Sequence, residues 1–184
     1  MRRVAESAPK QELQRSGAFG NEIHDMLTQV ISGKSYPETP LLAGYRLWKK
    51  KYDVDIYYTD VFVYHDEFRY AGFIDAVGLN SAGDLVVIDF KSGKGIYNVY
   101  ALQLAAYCKA LEVTCRCKEP IRNAYVLHFN QNNANFDFLK VKDVDACFAS
   151  FTHCMEYKRM ENVEEDVTTV RLFPQYLLEE KFLV

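Results

Sequence analysis

The chain has 184 residues, of which 49% are hydrophobic and 14% aromatic, and its 22 basic and 25 acidic residues give a net charge of −3. This composition is typical of a folded globular protein and excludes a disordered or fibrous chain. The small negative charge does not favour a general nucleic-acid coat protein, but it leaves open an enzyme whose metal ions meet the phosphates of a substrate.

The first half of the chain is predicted to form two helices followed by three strands. Residues 16–31 carry apolar side chains at helical spacing, and Gly33 ends that helix. Thr39 is an N-cap and Pro40 a first helical residue, so a second helix runs through Trp48. From residue 55 the spacing of the apolar residues is no longer helical. Residues 56–64 and 68–79 predict neighbouring strands joined at 65–67, and the turn residues 80–84 lead to a third strand over 85–90.

The second half alternates helices and strands. The pattern predicts a helix over residues 97–111, strands over 124–129 and 136–141, and a helix over 144–160, while the form of the apolar segment 171–184 stays open. We expect a single domain over residues 1–184, with its core motifs at about 17–142 and a C-terminal helical extension at about 143–184. The order of elements predicts an α/β fold in which helices flank a central mixed β-sheet.

The sequence predicts an intracellular protein without a membrane span. No stretch approaches the ~20 apolar residues that cross a bilayer, and no apolar signal-peptide core follows the basic start. The five cysteines have no paired spacing, so we expect reduced thiols and neither a structural zinc site nor an iron–sulfur cluster; they are Cys108, Cys115, Cys117, Cys147 and Cys154.

Two aspartates and a lysine lie in or beside apolar strands. Asp89 and Lys91 project from the same side of their strand, because strand side chains alternate. Taken alone, this pair has a simple structural interpretation as a salt bridge at a strand end. Asp75, however, lies inside another apolar strand, where a carboxylate is costly unless it is paired or bound to a metal. The turn at residues 80–84 folds this strand back, so Asp75 and Asp89 are expected to lie opposite or diagonal to each other.

Together these three residues predict a site for phosphodiester hydrolysis. Two carboxylates at that range repel each other unless a cation joins them, and oxygen ligands suit Mg²⁺ or Mn²⁺. Such a metal lowers the pKa of its bound water and neutralises phosphate oxygens. Lys91 would stabilise the charge on a phosphate in flight or help to deprotonate the attacking water.

Two helices supply further candidates. Tyr100, Gln103 and Tyr107 share one face of the helix that follows Lys91. They would hold the site or the nucleic acid, or else line the edge of an amphipathic helix that packs by its apolar face. His24 lies among apolar neighbours on the first helix, where a lone histidine is usually a hydrogen-bonded core residue. A metal site elsewhere in the chain favours a ligand role for it instead.

Several strings of the sequence resemble motifs of the RecB-like exonuclease branch of the PD-(D/E)XK nuclease superfamily. They are GFID at 72–75, VIDFKSGK at 87–94 and QLAAY at 103–107, and the helix with Gly20 and His24 matches an upstream motif. The resemblance covers about residues 17–111. It implies a restriction-endonuclease-like core. Ile74 stands where the family name has proline, and Asp60 stands where a glutamate is frequent, with a shorter reach that weakens its case as a ligand.

The resemblance also implies the roles of individual residues. Asp75 and Asp89 would bind the metal together with His24 and the Phe90 carbonyl, and Lys91 would be the catalytic lysine. Gln103 and Tyr107 would support the site or contact DNA. The remaining candidates for DNA binding or site support are Tyr100, Ser92 and Lys94.

The function implied by the resemblance is that of a Mg²⁺- or Mn²⁺-dependent deoxyribonuclease. We expect an exonuclease acting on single-stranded or end-containing DNA in repair, recombination or replication, with a helicase or recombination protein as a further partner. Four alternatives stay open: a structure-specific endonuclease, an inactive nuclease fold that binds DNA or protein, a metal-dependent phosphohydrolase acting on nucleotides or RNA, and an interaction module whose charges are structural. Aromatic residues suited to stacking on unpaired bases are Tyr36, Trp48, Tyr97 and Tyr100.

Overall fold

The computed structural model describes residues 20–92, 95–130 and 132–166. Nine elements of the described chain are used below: α1 over residues 20–31, α2 Pro40–Lys51, β1 Val54–His65, β2 Tyr70–Asn80, β3 Leu85–Lys91, α3 Asn98–Thr114, β4 Asn123–Phe129, β5 Phe136–Lys140 and, closing the described chain, α4 Val144–Asp166. The predicted helical residues 16–19 and the apolar segment 171–184 lie outside the described residues, so the single-domain prediction stays a prediction.

The five strands form one mixed sheet in the order β1-β2-β3-β4-β5. The β1–β2, β2–β3 and β4–β5 pairs are antiparallel, whereas β3 and β4 are parallel. Parallel neighbours need a crossover connection, and α3 supplies it between β3 and β4. The predicted α/β fold, a central mixed sheet flanked by helices, is confirmed, and its element order is that expected of a restriction-endonuclease-like core.

Capping and turn residues mark the ends of helices and strands where the sequence predicts them. The Thr39 hydroxyl accepts a hydrogen bond from the Leu42 N–H and caps α2. Gly33 has a φ of 79° directly after α1, a conformation that glycine adopts without strain. In the β2–β3 turn, the Asn80 side chain accepts from the backbone N–H groups of Ala82 and Asp84.

Two apolar cores lie on opposite faces of the sheet. α1 and α2 pack on one face, where Val86, Ile88 and Phe90 of β3 point. α3 covers the other face, towards which Val87 points. The alternation expected along β3 is therefore confirmed. It places Asp89 and Lys91 on the side of α3.

Several boundaries differ from the sequence prediction. β1 already includes His65, and the turn to β2 falls at residues 66–69, where Arg69 takes a φ of 52°. α3 runs three residues further, to Thr114, and α4 continues to Asp166. Of the helices in the described ranges, none combines the length and the apolarity needed to span a membrane.

Candidate active site

Three aspartates occupy one row across neighbouring strands. The β1–β2 pairs Thr59–Ala76 and Val61–Ile74 bracket Asp60 and place it opposite Asp75. On the other side, the pair Ala76–Ile88 places Asp75 opposite Asp89 by continuation of the register. The expectation that Asp75 and Asp89 lie opposite or diagonal to each other agrees with this register. The row is called the acidic row below.

Asp75 is held between two layers of the protein. Its Oδ2 accepts a 2.7 Å hydrogen bond from the Phe90 N–H and lies 3.6 Å from His24 Nε2. Burial, and after it the neighbouring charge of Asp89, raises the pKa of Asp75 to about 7. Burial also raises the pKa of Asp89, which is 2% exposed, although the Lys91 ammonium acts in the opposite direction.

Lys91 is fixed from several sides. Its Nζ lies 2.6 Å from Asp89 Oδ2, donates to Gln103 Oε1 at 3.2 Å and sits 5.0 Å from the centroid of the Tyr100 ring. Gln103 Nε2 in turn donates to the Tyr107 hydroxyl at 3.1 Å. The three residues predicted to share a helical face thus form one chain of contacts that ends on the ammonium group.

A glycine of β2 makes room for this chain of contacts. A Cβ atom built on Gly72 would stand 2.6 Å from Tyr107 Cε1, closer than any real Cβ contact. The glycine of the GFID string is therefore required by the position of the tyrosine. The sequence alone gave no physical reason for it.

His24 and Asp60 complete the site from the α1 side. His24 Nδ1 lies 3.9 Å from Asp60 Oδ1, and the Thr28 hydroxyl donates to Asp60 Oδ2 at 3.2 Å. Asp60 has a φ of 53°, which is uncommon for a residue other than glycine. Its shorter reach led the sequence interpretation to discount it, yet this backbone conformation and its place in the row bring it beside Asp75.

The chemistry of these donors fits a hard divalent cation. Asp89 Oδ2 is buried and lies 2.6 Å from the Lys91 ammonium. Carboxylate and carbonyl oxygens are the ligands that Mg²⁺ and Mn²⁺ prefer. Within the described part of the chain, however, no group of three or more His, Cys, Asp or Glu side chains is already arranged to hold a metal ion. A cation would therefore draw together ligands that now lie apart.

The remaining candidates fall into different environments. Ser92 is buried at the end of β3, and Lys94 lies outside the described residues. Tyr97 is exposed, and its ring packs edge-on against Tyr100. The interpretation of Trp48 as a residue that stacks on bases is wrong, because Trp48 is fully buried in the core against Tyr45 and Phe138.

One polar pair near the site was missed by the sequence analysis. His128 of β4 is the register partner of Lys91 and therefore projects to the same face. It is buried, and its Nδ1 lies 3.3 Å from Asp137 Oδ2 of β5. Strand alternation in β4 would have placed His128 on the face of α3, but the parallel register that sets it beside Lys91 is a tertiary feature.

Comparisons with known proteins add little to this picture. No protein-family model matches the chain, and no curated protein matches its sequence. A solved structure of a repair endonuclease from Pyrococcus abyssi is similar over 55% of this chain at 18% identity, with a TM-score of 0.36. The match covers 42% of that protein, so the chain spans less than half of its length. A likeness of this size does not bear on function, which has to be judged from the chemistry of the site.

Proposed function

We propose that the chain is a Mg²⁺- or Mn²⁺-dependent deoxyribonuclease whose reaction takes place at the acidic row. The observation that carries this proposal is the buried carboxylate of Asp89, with Lys91 Nζ 2.6 Å away, beside the carboxylate of Asp75, whose side chain is only 12% exposed. A structural salt bridge would explain Asp89 and Lys91. It would not explain Asp75, which no lysine or arginine of the described residues approaches within ion-pair distance.

The ligands of the cation would be the carboxylates of Asp75 and Asp89, the Phe90 carbonyl and the His24 imidazole. When bound, the metal would lower the pKa of a water molecule and neutralise phosphate oxygens. Asp60 lies in the same row and would act on His24, whose Nδ1 it approaches, rather than on the substrate. A carboxylate at this ring nitrogen orients the imidazole of many metal-binding histidines, and a closer approach of Asp60 across the present 3.9 Å would do the same for His24.

Lys91 would act on the reacting phosphate. Its ammonium is held by Gln103 and lies over the Tyr100 ring, so little reorganisation is needed when the phosphate arrives. In the reaction the water oxygen bonds to phosphorus, the bond from phosphorus to the leaving oxygen breaks, and that oxygen takes up a proton. Lys91 would stabilise the negative charge of the phosphate while this happens.

We further propose an exonuclease of the RecB-like branch that acts on single-stranded or end-containing DNA in repair, recombination or replication. Support for the branch comes from the four motifs in their order along the chain, and from the contacts of Asp75 with the Phe90 N–H and of Gln103 with Lys91 and Tyr107. A helicase or recombination protein as a partner belongs to the same proposal.

The test is a cleavage assay on three DNA substrates. End-labelled single-stranded DNA, end-labelled duplex and a closed circle are incubated with Mg²⁺, Mn²⁺ or EDTA. The wild type is compared with Asp89→Asn and Lys91→Ala, and Asp55→Asn, an exposed aspartate at the far end of β1, serves as the matched control. We expect metal-dependent loss of the linear DNA, abolished in both site variants and kept in the control. Cutting of the circle would indicate an endonuclease rather than an exonuclease. No cleavage with either metal would overturn the proposal.

A further inference from the structure

Five large aromatic side chains are exposed on the β1–β2 hairpin, and three of them, Phe62, Tyr64 and Phe73, form a cluster. Phe62, Tyr64 and Phe73 have 53%, 42% and 58% of their surface exposed. Their rings lie close together, with centroids 5.3 Å apart for Phe62 and Phe73 and 6.4 Å apart for Phe62 and Tyr64. An exposed aromatic cluster of this kind indicates a binding surface. It is called the aromatic surface below.

The aromatic surface is continuous with two members of the acidic row, Asp60 and Asp75. Phe62 pairs with Phe73, two residues along each strand from Asp60 and Asp75. Side chains two apart in a strand project to the same side and are separated by about 7 Å. α1 lies on this side, because Thr28 and His24 contact the two aspartates. The opposite side of the hairpin is covered by α3, against which Val63 and Ile74 pack.

The edge of the hairpin is poorly suited to pairing with a further strand. β1 is an edge strand of the sheet, but both the N–H and the C=O of Tyr64 bond to the Thr114 hydroxyl. The left-handed residue Asp60 and a register shift between Ile56 and Tyr58 interrupt the strand further. A bulged and partly covered edge resists strand addition. The face, rather than the edge, is therefore the open binding surface of the hairpin.

We propose that the aromatic surface binds the unpaired bases of a single strand whose phosphate lies at the acidic row. This inference rests on the proposed function and names its substrate class as single-stranded DNA. Residues 61–64 and 70–74 contain no acidic or basic side chain, so the surface offers aromatic rings without charges for phosphates. Every base has a face that stacks on an aromatic ring, which makes such binding independent of sequence. An anionic lipid surface does not fit, because β1 and β2 carry no lysine or arginine to meet lipid headgroups.

The test is the affinity for a labelled single-stranded 12-nucleotide DNA, measured by fluorescence anisotropy in EDTA so that no cleavage occurs. A second oligonucleotide has the same phosphates but abasic sites in place of the bases. The variants are Phe62→Ala, Phe73→Ala and the conservative Phe73→Tyr. Leu139→Ala, which removes an exposed apolar side chain on β5, is the matched control.

We expect Phe62→Ala and Phe73→Ala to weaken binding of the normal oligonucleotide by about fivefold to a hundredfold, the range for loss of one base–aromatic contact. Phe73→Tyr and Leu139→Ala should bind like the wild type. The abasic oligonucleotide should bind weakly to every protein, with no further loss in the alanine variants.

Four results would overturn the inference. Equal losses on both oligonucleotides would mean that the bases do not contact the rings. A wild type that cleaves DNA ends but binds the normal and abasic strands equally would leave the proposed function standing and remove the aromatic surface from it. A dimer in sedimentation analysis that Phe73→Asp converts to a monomer would assign the surface to a second copy of the chain. Absence of both cleavage and binding would overturn the proposed function as well.

Discussion

The backbone N–H of Phe90 donates a hydrogen bond to Asp75 Oδ2 at 2.7 Å, so a side chain of β2 bonds to the backbone of β3. The regular pairing of β2 and β3 ends at Ala76 and Ile88, the residues next to Asp75 and Asp89. β3 continues to pair with β4 as far as Lys91. β2 and β3 therefore part at the acidic row. The carboxylate of Asp75 lies in the resulting fork, where both Asp89 and His24 are within its reach.

Asp75→Asn is expected to stabilise the metal-free protein. Burial and the charge of Asp89 raise the pKa of Asp75 from 3.8 to about 7, so the folded state holds a proton that the unfolded state releases. Stability is then lost as the pH rises from about 4 to about 7, and the loss persists above that range. Thermal melts in EDTA at pH 8 should show Asp75→Asn melting several degrees above the wild type. In a protein of this size, each kcal/mol gained in the free energy of unfolding raises the melting temperature by about 2–4 °C.

The control for this experiment is Asp60→Asn in the same row. The Asp60 side chain is 53% exposed, so loss of its charge should change the melting temperature little. The difference in melting temperature between Asp75→Asn and the wild type should shrink at pH 5 and disappear near pH 4. A melting temperature that falls at pH 8 on this substitution would show that the charge of Asp75 is stabilised in the metal-free fold.

Gly72→Ala is expected to lower cleavage by displacing Tyr107. Its Cβ atom would stand 2.6 Å from Tyr107 Cε1, and the tyrosine must move together with Gln103, which holds Lys91. A shift of about 1 Å in a positioned group costs on the order of a hundredfold in rate. Steady-state kinetics should show a lower kcat. Gly20→Ala is the control, since its Cβ atom would contact nothing, and an unchanged kcat in Gly72→Ala would refute the positioning role of Tyr107.

Gly78→Ala is expected to disrupt the β1–β2 hairpin. The added Cβ atom would meet the Asp55 carbonyl oxygen at 2.1 Å, and this atom belongs to the backbone of the neighbouring strand. Overpacking of this kind costs about 1–3 kcal/mol, or more where the backbone cannot yield. Urea denaturation should show a lower midpoint than that of the wild type. A midpoint equal to the wild type would contradict the described register of these strands.

The thiols are expected to react at very different rates. Cys108 is fully buried, and burial raises its pKa to about 12, so almost no thiolate is present or accessible at neutral pH. Cys115 and Cys154 are exposed. Mass spectrometry after brief alkylation should find both of these modified and Cys108 unmodified until the protein is unfolded. Early modification of Cys108 would mean that the core around α3 opens easily.

The sequence predicts those parts of the site that depend on local pattern. Alternation in β3 places Asp89 and Lys91 on one face, and helical spacing aligns Gln103 with Tyr107. The space that Gly72 leaves for Tyr107 depends on two distant segments, as does the contact of Thr28 with Asp60. No local pattern contains such contacts.

Aromatic residues show the same limit. Trp48 and Phe73 both lie in amphipathic segments, and the sequence does not reveal which side is covered. α2 packs against β5 and buries Trp48 completely, whereas no helix of the described residues covers Phe73. Exposure is decided by the packing of whole elements. The base-stacking role predicted for Trp48 was therefore wrong, and the aromatic surface could not be anticipated.

The measurement that tests the acidic row most directly is Mn²⁺ binding followed by the loss of the free-ion EPR signal. It separates a metal site from a structural salt bridge without relying on catalysis. We predict that the wild type and Lys91→Ala bind Mn²⁺, whereas Asp89→Asn binds it at least about tenfold more weakly, which corresponds to about 1.4 kcal/mol. Equal Mn²⁺ binding by Asp89→Asn and the wild type, or no binding by the wild type, would contradict the assignment of Asp75 and Asp89 as metal ligands.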